Sequence, residues 1–232
     1  MLKDGIQSIK REIALVMRAA CQAVRDHRIL FLTLSLSMVL LALILVLMVD
    51  EPLFEYLQKI RPDLGVLQGL AKGFRKWGKG YDHLLFIGVP LVFAIILKSK
   101  PLGRLVLTAI VATLLAAIAV NIVRVGSGRP RPSARIKTQE ADRLTGPSLR
   151  YAYQSFPSGH TASAFAGATA LIVCSPVLGV IPVLSAICVG GSSWISASHY
   201  VADVFAGASI GILFGLAFGL GFRRRGGLGN MP

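Results

Sequence analysis

The residues able to do chemistry in this chain fall in three short stretches. The first, RVGSGRPRP, runs from Arg124 to Pro132 and carries Arg124, Arg129 and Arg131. The second, SFPSGH, sets Ser158, Gly159 and His160 directly before a long run of small and apolar residues. The third, GGSSWISASHYVADVFAG, holds Ser193, His199 and Asp203. Arginine offers a planar, permanently charged donor fork that matches phosphate oxygens. A helix N-terminus adds N–H groups without intrahelical acceptors and a partial positive charge, so Ser158, Gly159 and His160 are candidate donors to an oxyanion. Glycine there lets backbone approach a ligand closely. His199 and Asp203 stand four apart, one helical turn, so the carboxylate can hold the imidazole and select its tautomer. A histidine held in this way is a candidate nucleophile, and His160 is a candidate acid for a leaving oxygen.

Each group also has a plainer reading. The arginines suit interfacial anchors whose apolar stems lie along the membrane. His160 suits an ordinary first-turn residue, and His199 with Asp203 a structural pair at a helix start. Placing them all at one end of a membrane bundle favours function, because ionisable groups are costly in that setting.

The elements that must position them are membrane helices. Of the 232 residues, 54% are hydrophobic and only 16% charged, and mean hydropathy is +0.66. A soluble domain carries about 25% charged residues. There is room for six apolar spans of about 20 residues with short connections, so one all-α bundle is expected rather than two domains. Lys and Arg number 25 against 11 Asp and Glu. They lie between apolar runs, so lipid head groups and topology account for them and nucleic acid does not. Cys21, Cys174 and Cys188 are scattered, with neither metal-ligand spacing nor a disulfide pattern.

Residues 1–28 alternate apolar and basic positions at helical spacing. Ile6, Ile9, Ile13, Val16 and Met17 share one side, with Lys10, Arg11, Arg18 and Arg25 around the other. This pattern predicts an amphipathic interfacial helix on the cytoplasmic side, not a signal peptide. Spans are expected at 29–49, 84–97, 105–123, 159–179, 180–197 and 201–222, making 29–222 the membrane domain and 223–232 a basic tail. The last three spans are rich in Gly, Ala and Ser, which permit close helix approach. With six spans, both termini, the basic turn KSKPLGR and the RRR tail share one side, assigned as cytoplasmic by the positive-inside rule. Loops 50–82 and 124–158, and all three polar stretches, then share the other side. The arginines there need an explanation of their own.

The three stretches resemble the signature of the type 2 phosphatidic acid phosphatase (PAP2) superfamily, which reads K-x6-R-P, P-S-G-H and S-R-x5-H-x3-D. The first motif stands here as Arg124 through Arg131–Pro132, with arginine for lysine. The second is complete from Pro157 to His160, and the third runs from Ser192–Ser193 to His199 and Asp203. The resemblance implies that His199 attacks phosphorus, Asp203 orients it, and His160 protonates the leaving group. It also implies that Arg124, Arg131, Ser158 and Gly159 bind phosphoryl oxygens, without metal or cofactor. Substrate and partners would be a lipid phosphate and bilayer lipids, reached from an inner membrane with the site facing the periplasm.

The chain departs from the pattern most at Ser193, where the family has arginine. Losing one donor aimed at transition-state charge costs about 10²–10³ in rate. A serine there supplies at best a weaker neutral hydrogen bond, and Arg129 and Arg135 are the candidates to compensate. The leading expectation is a lipid phosphatase acting on a phosphomonoester or diphosphate. A phosphotransferase using the same intermediate and a non-catalytic lipid-phosphate binder are the alternatives. An anion transporter fits less well, because the polar clusters sit at one face and not at the midplane.

Overall fold

A run of 21 residues without charge, 29–49, explains the first long helical segment. In the computed structural model, which describes residues 2–77, 99–138 and 144–226, this segment joins others almost without interruption. Helix α1 (Leu2–Asp26) turns at His27 into α2 (Arg28–Ile44), which passes through a π-helical turn (Leu45–Val49) into α3 (Asp50–Ile60). A 3₁₀ turn (Arg61–Leu64) leads to α4 (Gly65–Trp77). The bundle continues with α5 (Lys100–Ser127), a short α6 (Pro132–Thr138), a 3₁₀ turn at Tyr151–Tyr153, α7 (Gly159–Cys174), α8 (Pro176–Ile195) and α9 (Val201–Arg224). No strand occurs among the described residues.

Helix α2 is apolar on every side. Only Phe31 and Ala42 are buried in it, and Leu36, Val39, Leu47 and Met48 face outward, as expected of a lipid-facing span. The π turn changes that register. A wide turn re-aims whatever follows it, and Asp50, the next residue, is only 1% exposed.

Helix α5 begins at Ser99, whose hydroxyl accepts from Leu102 N at 3.4 Å, with Pro101 in the first turn. It ends at Gly128, which takes the left-handed conformation at φ 57. A Cβ at Gly128 would lie 1.7 Å from the Gly146 carbonyl oxygen, so the turn is closed to any side chain.

The centre of the bundle is α7 against α9. Gly207, Gly211, Gly215 and Gly219 form a ridge along α9. Cβ atoms there would meet Ser158 O at 2.4 Å, Ala162 O at 2.4 Å, Ala166 O at 2.7 Å and Val173 Cβ at 2.7 Å. Small residues every fourth position let the two backbones touch. Gly211→Ala forces the helices apart or strains the backbone, so it is expected to destabilise the fold by about 1–3 kcal/mol. A thermal melt in detergent checks this, and an unchanged melting temperature would refute the contact.

Several expectations are met and others corrected. The spans at 105–123 and 201–222 are helical and extend to Lys100–Ser127 and Val201–Arg224. The division at 179/180 is wrong, because α7 stops at Cys174 and α8 starts at Pro176. Ser175 is extended (φ −152), as the residue before a proline prefers. The segment 50–82, read as a loop, is helical through Trp77, and loop 124–158 contains the end of α5 and two short helical turns. The expected span 84–97 and the tail beyond Gly226 lie outside the described residues. Helix α1 is present and docks on α9 through Val16, Ala20 and Ala23, where a Cβ on Gly221 would meet Ala20 N at 2.7 Å. Glu12 faces Arg104 at 3.3 Å and Arg225 at 3.6 Å, and Asp26 pairs with Arg224. Ile6, Ile9 and Ile13 stay exposed, so the apolar face of α1 is only partly covered by protein.

Candidate active site

The C-terminal ends of α5 and α8 meet the N-terminal ends of α7 and α9 at one end of the bundle. Ser158 caps α7 in extended conformation. Its N–H donates to the Asp203 carbonyl at 2.9 Å, and its hydroxyl lies 2.9 Å from the Thr161 hydroxyl. Gly159 and His160 form the first turn of α7, where backbone N–H groups have no acceptor within the helix. Arg124 reaches over from α5, and its Nε and one terminal nitrogen donate to Pro157 O, both at 3.4 Å. A Cβ on Gly159 would stand 2.1 Å from that guanidinium. Glycine is what lets a fixed positive charge rest against the start of α7.

Arg131 is 4% exposed and held on several sides. It donates to the carbonyls of Tyr151 at 3.1 Å, Gln154 at 3.0 Å and Ser198 at 3.4 Å, and stacks on the Tyr151 ring at 4.1 Å. One of its terminal nitrogens lies 3.3 Å from His199 Nε2.

His199 sits in a tight turn after α8. Ala197 takes a left-handed φ of 51, rare for a residue with a side chain. The turn brings the N–H groups of Ser198 and His199 back to the Ser193 carbonyl at 3.1 and 3.2 Å. His199 Nδ1 lies 2.9 Å from the Ser155 carbonyl and 3.5 Å from Asp203 Oδ2. Both are acceptors, so Nδ1 carries the proton. Nε2, facing the donor Arg131, then keeps its lone pair. Burial pushes the His199 pKa below the ordinary histidine value. Asp203 opposes that shift, while Arg131 and Arg124 add to it.

Asp203 is completely buried and surrounded by donors. Oδ1 accepts from Arg129 at 2.7 Å, and Oδ2 accepts from the Ser155 hydroxyl at 2.5 Å and from Tyr200 N at 2.9 Å. The proposed orienting contact to His199 is therefore present but long, and the Ser155 carbonyl makes the closer one.

The sequence-predicted residues Arg124, Arg131, Ser158, Gly159, His199 and Asp203 come together through these contacts. His160 occupies the first turn of α7 and is half-buried. Ser193 is 3% exposed, and its hydroxyl donates to Val189 O at 2.8 Å, one turn back in α8. Neither candidate substitute for the missing family arginine stands free for that task. Arg129 is shared between Asp203 and Asp50, and Arg135 is paired with Glu51 over the Phe54 ring. These pairs account for Arg129 and Arg135 on this side of the chain.

Sequence reasoning missed Ser155 and Asp50. Ser155 stands two residues before Pro157 of the second motif with nothing in its type to mark it. Asp50 did leave a signal, as the first of two adjacent acids, Asp50 and Glu51, directly after an uncharged span on the arginine-rich side. Among the described residues there is no group of three or more His, Cys, Asp or Glu suited to a metal ion.

Comparison with known proteins gives the family and the fold. The PAP2 superfamily profile matches residues 105–226. Lipid phosphate phosphatase 1 of Arabidopsis thaliana is 31% identical over 135 residues, 47% of this chain and 41% of that relative, so less than half of its length is matched. The PAP2-type phosphatidylglycerolphosphate phosphatase of Bacillus subtilis shares the fold, with a TM-score of 0.63 at 19% identity over 84% of this chain and 96% of the other. LpxE of Aquifex aeolicus superposes with a TM-score of 0.54 at 27% identity, over 73% of this chain and 93% of its own. Among the described residues, four helical segments, Arg28–Phe74, Lys100–Ile136, Pro176–Ile195 and Val201–Arg224, are long and apolar enough to cross a bilayer. With the profile spanning more than half of its length and the helices folding as in these relatives, the chain is an integral membrane protein of the PAP2 superfamily.

Proposed function

We propose that this protein is a membrane lipid phosphatase that removes phosphate from a lipid phosphomonoester or diphosphate through a phosphohistidine. The observation that carries the proposal is the state of His199, whose Nδ1 proton is held by Ser155 O while Nε2 keeps its lone pair beside Arg131. Nε2 attacks phosphorus and the bond from phosphorus to the lipid oxygen breaks. His160 gives its proton to that oxygen, and Arg124, Arg131 and the first turn of α7 hold the phosphoryl oxygens. Water then attacks phosphorus and the P–N bond breaks. The water's proton goes to His160, and phosphate and free His199 are restored.

The same reading sets the protein in a cell inner membrane, with both termini cytoplasmic and the site facing the periplasm. Support comes from Arg104 and Arg223–Arg225, which lie with α1 at the end of the bundle away from the site. Helix α1 then rests at the cytoplasmic interface, with Ile6, Ile9 and Ile13 toward lipid. The Ser193 hydroxyl, turned to Val189, favours a second reading in which a weaker phosphate clamp leaves a binder of lipid phosphates or a slow phosphotransferase.

Purified protein in detergent, given phosphatidate, phosphatidylglycerolphosphate, an isoprenyl diphosphate and a phosphorylated glycolipid, is expected to release inorganic phosphate from at least one of them. Binding without release from any would favour the binder, and transfer to a second lipid the phosphotransferase.

The pH dependence follows from His199. Attack requires the neutral imidazole, and burial lowers its pKa from the ordinary 6.5. Activity should persist as pH falls past 6.5 and drop only below it. An acid limb of kcat/KM centred at or above 6.5 would contradict this assignment.

A further inference from the structure

Behind His199 and Asp203 lie two further charges, Arg129 and Asp50, that the signature positions of the three motifs do not include. Arg129 is 1% exposed, and its two terminal nitrogens go to different carboxylates, Asp203 Oδ1 at 2.7 Å and Asp50 Oδ2 at 2.8 Å. Its guanidinium stacks on the Tyr200 ring at 4.2 Å. Asp50 is 1% exposed, and its other oxygen accepts Ala202 N–H at 2.9 Å in the first turn of α9, 152 positions away.

Beside the 3.5 Å contact of Asp203 Oδ2 with His199 Nδ1, Arg129 reaches His199 by two routes that pass through Ser155. The Arg129 carbonyl accepts Ser155 N–H at 3.0 Å. Its side chain fixes Oδ1 of Asp203, which leaves Oδ2 to take the Ser155 hydroxyl at 2.5 Å. The carbonyl of Ser155 then holds His199 Nδ1 at 2.9 Å. With one carboxylate oxygen pinned, the group cannot rotate, and the atoms that set the histidine tautomer stay in place.

We propose that Arg129 and Asp50 are positioning residues for His199, with Arg129 locking the Asp203–Ser155 pair and Asp50 locking Arg129 to the first turn of α9. The first residue of α3, brought inward by the π turn, thereby helps set the geometry of the nucleophile. Stability alone is a poor reason for the arrangement, since a buried ion cluster is often no better than apolar packing of the same volume. The other charged or titratable groups near it are His199, Arg131 and Arg124 on the site side, and Glu51, Arg135 and Tyr200 on the α3 side.

The proposal rests on the phosphatase reading for its kinetic arm, and a second arm is independent of turnover. Full-length protein in detergent is compared with Asp50→Asn, Arg129→Gln, Arg129→Lys and the double variant Asp50→Asn/Arg129→Gln. Each uncharged single variant is expected to lower kcat by about 10²-fold with KM little changed, as for a nucleophile displaced by a fraction of an ångström. Arg129→Lys keeps the charge but loses the fork, so its loss should be intermediate. The double variant should lose about as much as either single one, because both residues act through one carboxylate. It also removes both charges of the pair, and with Arg129→Lys it carries the test if a single variant does not fold.

The second arm is nitrogen-15 NMR of labelled histidine, with the His199 signal identified by its loss in His199→Ala. The wild type should show a neutral ring protonated at Nδ1, and the variants a mixture of tautomers. Wild-type kcat, losses that multiply in the double variant, or an unchanged tautomer in folded variants would each overturn the positioning role. Absence of phosphate release by the wild type would overturn the phosphatase reading, and the NMR result would still decide the role of Arg129 and Asp50.

Discussion

His199→Ala is expected to abolish phosphate release from every lipid phosphate that the wild type hydrolyses. The His199 imidazole is held at both ring nitrogens, with Nδ1 on Ser155 O and Nε2, which keeps its lone pair, beside Arg131. In the proposed mechanism no P–N bond forms without it, and direct attack by water would lack the covalent route that divides one difficult step into two. Loss of a nucleophile that acts with its partners as a unit costs on the order of 10⁴-fold or more. The fold should survive. Asp203 keeps Arg129, Ser155 and Tyr200 N as donors, so the cost is that of one buried acceptor, the Ser155 carbonyl, about 1–3 kcal/mol. Phosphate release and a thermal melt on the same sample separate the two effects. Equal release by the mutant from purified, uncontaminated protein would sink the mechanism.

Asp203→Asn should be nearly as damaging, for a reason specific to its surroundings. Every neighbour of this carboxylate is a donor: the Arg129 guanidinium, the Ser155 hydroxyl, the Tyr200 N–H and, at 3.5 Å, His199 Nδ1. A carboxylate meets them with two accepting oxygens. An asparagine has one, and its NH₂ must face at least one of these donors in either flip. The conflict costs about 1–3 kcal/mol of stability and turns the imidazole out of its fixed tautomer. A fall in kcat of about 10³–10⁴ is expected, the order found where such an orienting carboxylate is replaced. A mutant with wild-type kcat would show that the Ser155 carbonyl alone holds His199 and that Asp203 serves the fold.

The parts of this protein that were legible in its sequence are those governed by local rules. Apolar length revealed helices over 29–49, 105–123 and 201–222, because backbone groups in a bilayer have to be paired within the segment. The three motifs marked Arg124, Arg131, Ser158, Gly159, His160, His199 and Asp203, because their types and spacings are the chemistry itself. The α7–α8 break at Pro176 was missed, because the apolar run across it hid the stop that a proline imposes. The segment after Asp50 misled, since Pro52, Pro62 and several glycines read as a loop while packing of α3 and α4 on the bundle holds them helical.

Sequence by itself determined the membrane setting, the family signature and the residue types of the candidate site, since hydropathy and motif spacing are properties of short stretches. Tertiary structure alone decided which group serves which. It turned the Ser193 hydroxyl to Val189, set Arg129 between two carboxylates, and gave the closer hold on His199 to the Ser155 carbonyl. The pairings of Arg129 and His199 join residues from 44 to 79 positions apart. Buried charges and donors take whichever partner the packed helices bring within 3 Å, and no local pattern records that choice.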